Sequence, residues 1–297
     1  RLSEKRLRIV HKPQYVDRIP GYLKGKVSDV LGRLGDGARL KTLVELLQLE
    51  KIKTRQMSVL SGGELQRLAI VAAAARDADI YIFDEPSSHL DVSQRLRAAR
   101  AIRGLVEDGR TVLLAEHDLA MLDYLSDQVC VLYGEPGVYG IVSHVHGVRV
   151  GINIYLDGFV PDENMRFREE PIRFHARPPR DFAPIESWQL EWPKMRKTFK
   201  QFSLTVSPGS AGVGEVVGIL GPNGIGKSTS VQILSGGLRP NLGEPGREVP
   251  WKEILSHYAG TELFEYLRRV SENRMVTATK PQYIDYIPRL FPGTVGA

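Results

Sequence analysis

Gly221-Pro222-Asn223-Gly224-Ile225-Gly226-Lys227-Ser228, followed by Thr229, fits the pattern G-x-x-x-x-G-K-[ST]. Before it, Glu215-Val216-Val217-Gly218-Ile219-Leu220 reads as a short buried strand, and the residues after it, 229–235, as the start of a helix. Strand, glycine-rich loop and helix form the context in which this pattern is a phosphate site. The glycines let the loop curl its N–H groups inward, and the helix adds the partial positive charge of its N-terminus. Lys227 would reach the β- and γ-phosphates of a nucleotide, and the Ser228 hydroxyl would bind Mg²⁺. One feature is unusual: the acidic partners that such a loop needs all precede it in the chain.

Composition narrows the class. The 297 residues suffice for one large or two smaller domains, and 42% hydrophobic with 25% charged residues is ordinary for a globular protein. A net charge of +5 suits an RNA-rich partner without requiring one. Cys130 is the single cysteine, which excludes an intramolecular disulfide framework and an all-cysteine iron–sulfur site in this chain. It lies in an apolar run and reads as a buried structural thiol. No apolar stretch reaches the 18 residues of a membrane span. With no leader and no initial Met, the chain reads as a fragment or processed piece of a cytoplasmic protein.

The chain repeats itself. His11-Lys12-Pro13-Gln14-Tyr15-Val16-Asp17-Arg18-Ile19-Pro20 recurs as Thr279-Lys280-Pro281-Gln282-Tyr283-Ile284-Asp285-Tyr286-Ile287-Pro288, and about half the positions match over some 27 residues. The two ends are therefore equivalent points of a tandem duplication. Between them, apolar periodicity predicts helices over 38–50, from Ser61 through Ala75, over 93–107, over 119–125 and over 251–272. Strands are expected at 80–83, 111–115, 128–133 and 202–206, those at 80–83 and 111–115 being continuous apolar runs of a parallel sheet covered on both faces. Alternation of the two argues for an α/β architecture. From Gly134 to about Glu191 the texture changes to Gly, Pro, His and interleaved aromatics, as in a hinge.

Chemistry-bearing residues sit at the ends of the strands. Asp84 and Glu85 close the run Ile80-Tyr81-Ile82-Phe83. Phosphoryl transfer needs mainly positioning and charge stabilisation, so an Asp on Mg²⁺ and a Glu activating water would suffice. Taken alone, the pair reads equally well as N-cap acids of the next helix. Ser61-Gly62-Gly63-Glu64 opens a helix with an S-x-x-E capping box and bare backbone N–H groups, an anion site by construction. His117 follows the strand after Asp84-Glu85 and could reach a γ-phosphate. Gln14 and Gln282, each in Lys-Pro-Gln-Tyr, could bind the metal or the attacking water. Asp91 is placed to cap the 93–107 helix or to sense an opposite site.

Together these residues resemble an ABC-type ATPase. Leu60 to Gln66 resembles its signature motif, Ile80 to Glu85 its Walker B strand, Leu90-Asp91 its D-loop, His117 its switch histidine, Gln14 and Gln282 its Q-loop glutamines, and Gly221 to Thr229 its Walker A loop. The stretches from Asp84 to Leu96, Glu116 to Leu119, Leu122 to Asp127 and Tyr133 to Gly140 are similar to subfamily E. So are Gly151-Ile152-Asn153 and Glu163 to Arg168 in the hinge. This subfamily comprises the twin-ATPase ribosome-recycling factors, also called the RNase L inhibitor family, and the form is closer to its archaeal members. The resemblance implies two head-to-tail nucleotide-binding domains, with ATP and Mg²⁺ held between one domain's Walker A loop and the other's signature motif. It further implies a ribosomal partner (the small subunit, its rRNA and proteins), translation termination and initiation factors, a cytoplasmic location and no membrane. Family members carry two [4Fe–4S] clusters in an N-terminal domain, which a chain with one cysteine cannot hold.

The resulting organisation places the back part of a first nucleotide-binding domain at 1–142, the hinge at 143–191 and the front part of such a domain at 192–297. Residues 192–217 resemble the start of the second family domain, whereas 240–243 and 251–288 resemble the first. A junction is therefore expected near 218–228, by rearrangement or by assembly across the repeat. Two arrangements are open: simple succession of two domain parts, or fold-back of 196–297 onto 1–133 as a circular permutant. Fold-back is favoured because an unfilled sheet leaves an exposed edge; it would set the Walker A strand beside the Walker B strand. The leading function is an ATP-hydrolysing ribosome-recycling factor fragment. The alternatives are a transporter ATPase subunit and a fragment that binds nucleotide without hydrolysing it.

Overall fold

A computed structural model describes residues 7–174, 189–192, 194–200, 202–212, 214–260, 263–272 and 277–280. The chain divides into two compact units, Arg1–Pro178 and Pro179–Ala297.

The first unit is built on a parallel sheet of three strands in the order β1 (Ile9–Lys12), β2 (Ile80–Asp84), β3 (Thr111–Ala115). Its helices are α1 (Ile19–Tyr22), α2 (Val27–Gly32), α3 (Ala38–Leu46), α4 (Gly62–Ala74), α5 (Val92–Glu107), α6 (Leu119–Leu125) and α7 (Val148–Asp157). Tyr81 and Phe83, alternate residues of β2, are fully buried in one core with Ile70 and Val71 of α4 and Ile102 and Leu105 of α5. Each such side chain contributes roughly 1.5–3 kcal/mol by leaving water. Arg67 is drawn into this core from α4. Its guanidinium donates to the Leu47 carbonyl at 2.7 Å, placing a cation at the C-terminal end of α3.

Three readings of the sequence are corrected here. β3 is not covered on both faces: Val112 and Leu114 pack on the core, while Leu113 is 57% exposed. A mostly apolar groove of about 860 Å³ runs along β3 and α6. β2 already has β1 and β3 as neighbours, so no Walker A strand can lie beside it; the open edge of the sheet on that side belongs to β3. Cys130 is exposed rather than buried, because the expected 128–133 strand breaks into Gln128–Val129 and Leu132–Glu135, and the thiol lies at the break.

Beyond β3, Val131, Ile154 and Val160 form a small separate core against α7, with Tyr133 stacked on Phe167 at 5.6 Å. α7 runs for ten residues within the stretch read as a hinge. It ends at Gly158, whose φ of 69° and whose backbone, only 2.6 Å from Arg168 for an added Cβ, demand glycine.

The second unit pairs Gln189–Trp192 with Gly209–Gly212 and Met195–Thr198 with Ser203–Val206, both antiparallel. Helices α8 (Lys227–Leu234), α9 (Trp251–His257) and α10 (Leu263–Ser271) complete it, the expected 251–272 helix being divided in two. Its core comprises Met195, Ile233, Val249, Ile254, Tyr266 and Leu267. The run Glu215 to Leu220 is not a strand. Val216 is 92% and Leu220 94% exposed, because no strand among the described residues pairs with it.

Candidate functional site

Glu85 follows the C-terminal end of β2 and has a φ of 44°, in the left-handed region. Non-glycine residues adopt it at a cost of about 1–2 kcal/mol, and only where the surroundings determine it. Here they do. The Glu85 N–H donates to the Ala115 carbonyl at 2.9 Å, and the buried Gln66 side-chain amide donates to the Glu85 carbonyl at 2.6 Å. The carboxylate accepts from Gln14 Nε2 at 2.8 Å and from the Ser88 hydroxyl at 2.9 Å, and His117 Nδ1 lies 3.9 Å away. The Ser88 hydrogen bond, with smaller help from Gln14, His117 and Lys12, holds the Glu85 carboxyl below the usual range against a desolvation that raises it.

Lys12, at the end of β1, is 1% exposed. Its ammonium donates to the Asp84 carbonyl at 2.6 Å and, more weakly, to the Glu85 carbonyl at 3.4 Å. Burial brings its pKa down to about 8, opposed by the carboxylates of Asp84, Glu85 and Glu116. The Glu116 side chain is itself fully buried; it accepts the backbone N–H groups of His117 at 3.0 Å, Asp118 at 3.2 Å and Ser87 at 3.3 Å. One carboxylate thus joins the loop after β2 to the loop after β3. The His117 side chain is 75% exposed.

On the adjoining α4 terminus the capping box is complete. Ser61 Oγ accepts from the Glu64 N–H at 3.4 Å, and Glu64 accepts from the Ser61 N–H at 2.8 Å. Arg55 braces Glu64 at 2.6 Å. Gly62 and Gly63 are partly exposed: a Cβ on Gly62 would press on the His89 ring at 3.1 Å, and one on Gly63 would clash with the His89 carbonyl oxygen at 2.8 Å. Asp91 caps α5, accepting from the Gln94 N–H at 2.9 Å. The structure therefore gathers Gln14, Asp84, Glu85 and His117 at one edge of the sheet, with Ser61 to Glu64 and Asp91 linked to each other through the His89 turn.

The phosphate loop lies in the other unit. Gly224 (φ 78°) and Gly226 (φ 102°) give the loop its curl, and Gly226 forms the N-cap of α8 with no side-chain capping hydrogen bond. A Cβ at Gly226 would meet Phe202 at 2.9 Å. Lys227 donates to the carbonyls of Gly221 at 2.6 Å and Pro222 at 2.8 Å and makes no ion pair among the described residues. An uncapped helix start, an ammonium with no carboxylate partner among the described residues, and Ser228 and Thr229 in the first turn fit a polyphosphate. Pro222, Asn223 and Ile225 complete the loop. No cluster of three or more acidic, His or Cys side chains able to hold a metal occurs among the described residues. Mg²⁺ bound largely through nucleotide phosphates needs only one or two protein ligands. Gln282 lies outside the described residues.

Sequence reasoning missed Lys12, Gln66, Ser88 and Glu116. Lys12 stood in plain sight within the repeated Lys-Pro-Gln-Tyr, but a lysine ending an apolar strand carries no sign that it turns inward. Gln66 and Ser88 sit inside recognised stretches and act on a backbone carbonyl and a carboxylate that only the fold brings near.

A parallel sheet with acidic residues at its C-terminal edge, together with a G-x-x-x-x-G-K-S loop opening a helix, defines the nucleotide-binding ATPase class. A family model described as ABC transporter matches residues 3–88 and 199–279, more than half of the chain. The chain belongs to the ABC ATPase family, in its ABCE1/RLI1 branch. It is 50% identical over 250 residues to an uncharacterized ABC transporter ATP-binding protein of Methanocaldococcus jannaschii, covering 84% of this chain and 40% of that one. It is 43% identical over 251 residues to translation initiation factor RLI1 of Saccharomyces cerevisiae, covering 82% and 41%. Among solved structures, the archaeal ribosome recycling factor aABCE1 in complex with the ribosomal stalk protein aP1 matches with a TM-score of 0.72 at 45% identity, over 88% of this chain and 54% of that one. Ribosome-bound archaeal Pelota and ABCE1 matches with a TM-score of 0.75 over 89% and 47%. The chain thus spans about 40% of the length of the curated relatives it matches. No described helix is long and apolar enough to cross a membrane.

Proposed function

We propose that this chain is the ATP-binding and ATP-hydrolysing part of a ribosome-recycling factor, in which closure on nucleotide drives separation of the ribosomal subunits. The observation that carries the reading is the convergence of Gln14, Ser88 and His117 on the Glu85 carboxylate. In this reading Gly221 to Thr229 cradle the phosphates, Lys227 meets the β- and γ-phosphates, and Ser228 and Asp84 hold Mg²⁺, with Gln14 (and Gln282 in the repeat) on the metal or the water. Bound Mg²⁺ would neutralise charge developing on the phosphates. Glu85 takes a proton from the attacking water, and His117 donates to the γ-phosphate. Ser61, Gly62, Gly63 and Glu64 face the nucleotide from the signature side, and Asp91 reports on the opposite site.

The domain parts proposed are 1–142, 143–191 as the hinge, and 192–297. Fold-back of residues 196–297 onto 1–133 as a circular permutant is proposed over simple succession because an unfilled sheet leaves an exposed edge. The partners proposed are the small ribosomal subunit with its rRNA and proteins, and termination and initiation factors, in the cytoplasm. Any [4Fe–4S] clusters belong to a domain outside this chain. Their support is the likeness to aABCE1 bound to a stalk protein and to ABCE1 bound to the ribosome with Pelota. Co-sedimentation with archaeal small subunits in the presence of a non-hydrolysable ATP analogue tests the reading. Pelleting with subunits and not with lipid vesicles supports it; pelleting only with vesicles, as a transporter subunit's affinity would give, refutes it.

A further inference from the structure

We propose that Lys12 is a positioning residue for Glu85, holding the backbone turn that aims its carboxylate at Gln14 and His117. The proposal rests on the reading of Glu85 as the base. Lys12 ends β1 and extends under the end of β2, where its ammonium meets two successive carbonyls, those of Asp84 and Glu85. Two successive carbonyls converge on one donor only if the chain turns sharply between them, and Glu85 supplies that turn with its left-handed φ of 44°. Gln66 grips the Glu85 carbonyl from α4, and Ala115 accepts the Glu85 N–H from β3. Lys12 is the one cation in this set and, among the described residues, the only side chain donating to both carbonyls. Had its role been to fill space in the core, an apolar side chain of similar length would serve without the cost of burying an amine. The next residue but one is Gln14, so the strand that clamps the backbone of Glu85 also delivers the amide that holds its carboxylate.

The test compares the chain with its Lys12→Met variant, which keeps the stem and removes the donor. Steady-state ATP hydrolysis should lose about tenfold or more in kcat with KM for ATP within about twofold, the pattern of a group acting only on the chemical step. Amide hydrogen exchange should accelerate about tenfold or more at Glu85 and Ser88, whose N–H groups the turn orders, and stay at the parent rate for Ile70 and Val71 in α4. Exchange unchanged at Glu85 and Ser88, or raised equally throughout α4, overturns the proposal; so does an active variant with the parent's kcat. If the parent chain does not hydrolyse ATP, the reading of Glu85 fails, and the exchange data alone judge Lys12. Should the variant not fold, the parent decides: scalar couplings from the Lys12 ammonium nitrogen to the Asp84 and Glu85 carbonyl carbons are expected by NMR, and their absence overturns the clamp.

Discussion

Gln14 Nε2 donates to Glu85 Oε1 at 2.8 Å, joining the turn after β1 to the turn after β2 across 71 residues of sequence. An amide can only hold this carboxylate as an acceptor, so the contact fixes the carboxylate's direction and favours its ionised state. Gln14→Ala removes the donor and Gln14→Glu replaces it with a like charge. Both should lower kcat for ATP hydrolysis, by about tenfold for Ala and more for Glu, with circular dichroism unchanged. Parent-like rates for Gln14→Glu would show that the contact has no role in turnover.

Two glycines make opposite predictions. A Cβ on Gly63 would lie 2.8 Å from the His89 backbone oxygen, an atom that cannot swing aside. Gly63→Ala should destabilise the first unit by roughly 1–3 kcal/mol in urea unfolding, as overpacking does. Gly104 lies within α5 with nothing inside 4 Å of an added Cβ, and Gly104→Ala should stabilise by roughly 0.5–1 kcal/mol.

The hinge offers a pH prediction. The Tyr133 hydroxyl donates to Glu163, which also accepts the His144 N–H at 3.2 Å. The tyrosine hydrogen bond holds the Glu163 carboxyl below its ordinary value. A depressed carboxyl contributes stability that is present above the unfolded-state value and lost as pH falls through the folded-state one. The Tyr133–Glu163 contact should therefore loosen only in acid, below the usual glutamate range near about pH 4.3. Tyr133→Phe should move the Glu163 carboxylate ¹³C titration back up towards that range; an unmoved titration would contradict the assignment.

Much of the first unit could be read from its residues. Ser61 and Glu64 fall where a capping box must, and Asp91 caps the helix that the 93–107 periodicity foretells, because both signals are local. β2 was legible since Tyr81 and Phe83 face a core on the side where the helices lie. β3 was misread: Thr111 to Ala115 is apolar throughout, yet whether a second face is covered depends on elements elsewhere in the chain. The same holds for Glu215 to Leu220, a mostly apolar, β-branched-rich run that stays exposed because no strand among the described residues pairs with it. At the site, the acidic pair and His117 announced themselves by position after strands. Lys12, Gln66 and Glu116 did not, since their partners are backbone groups that have no identity in a sequence.

The most direct test of the account is ATP hydrolysis by the chain and by its Glu85→Gln variant, measured with nucleotide affinity in the same preparations. The account predicts turnover in the parent, a loss of about 10²-fold or more in kcat for Glu85→Gln, and undiminished ATP binding in both. Equal zero rates, or equal rates in the two proteins, would contradict it.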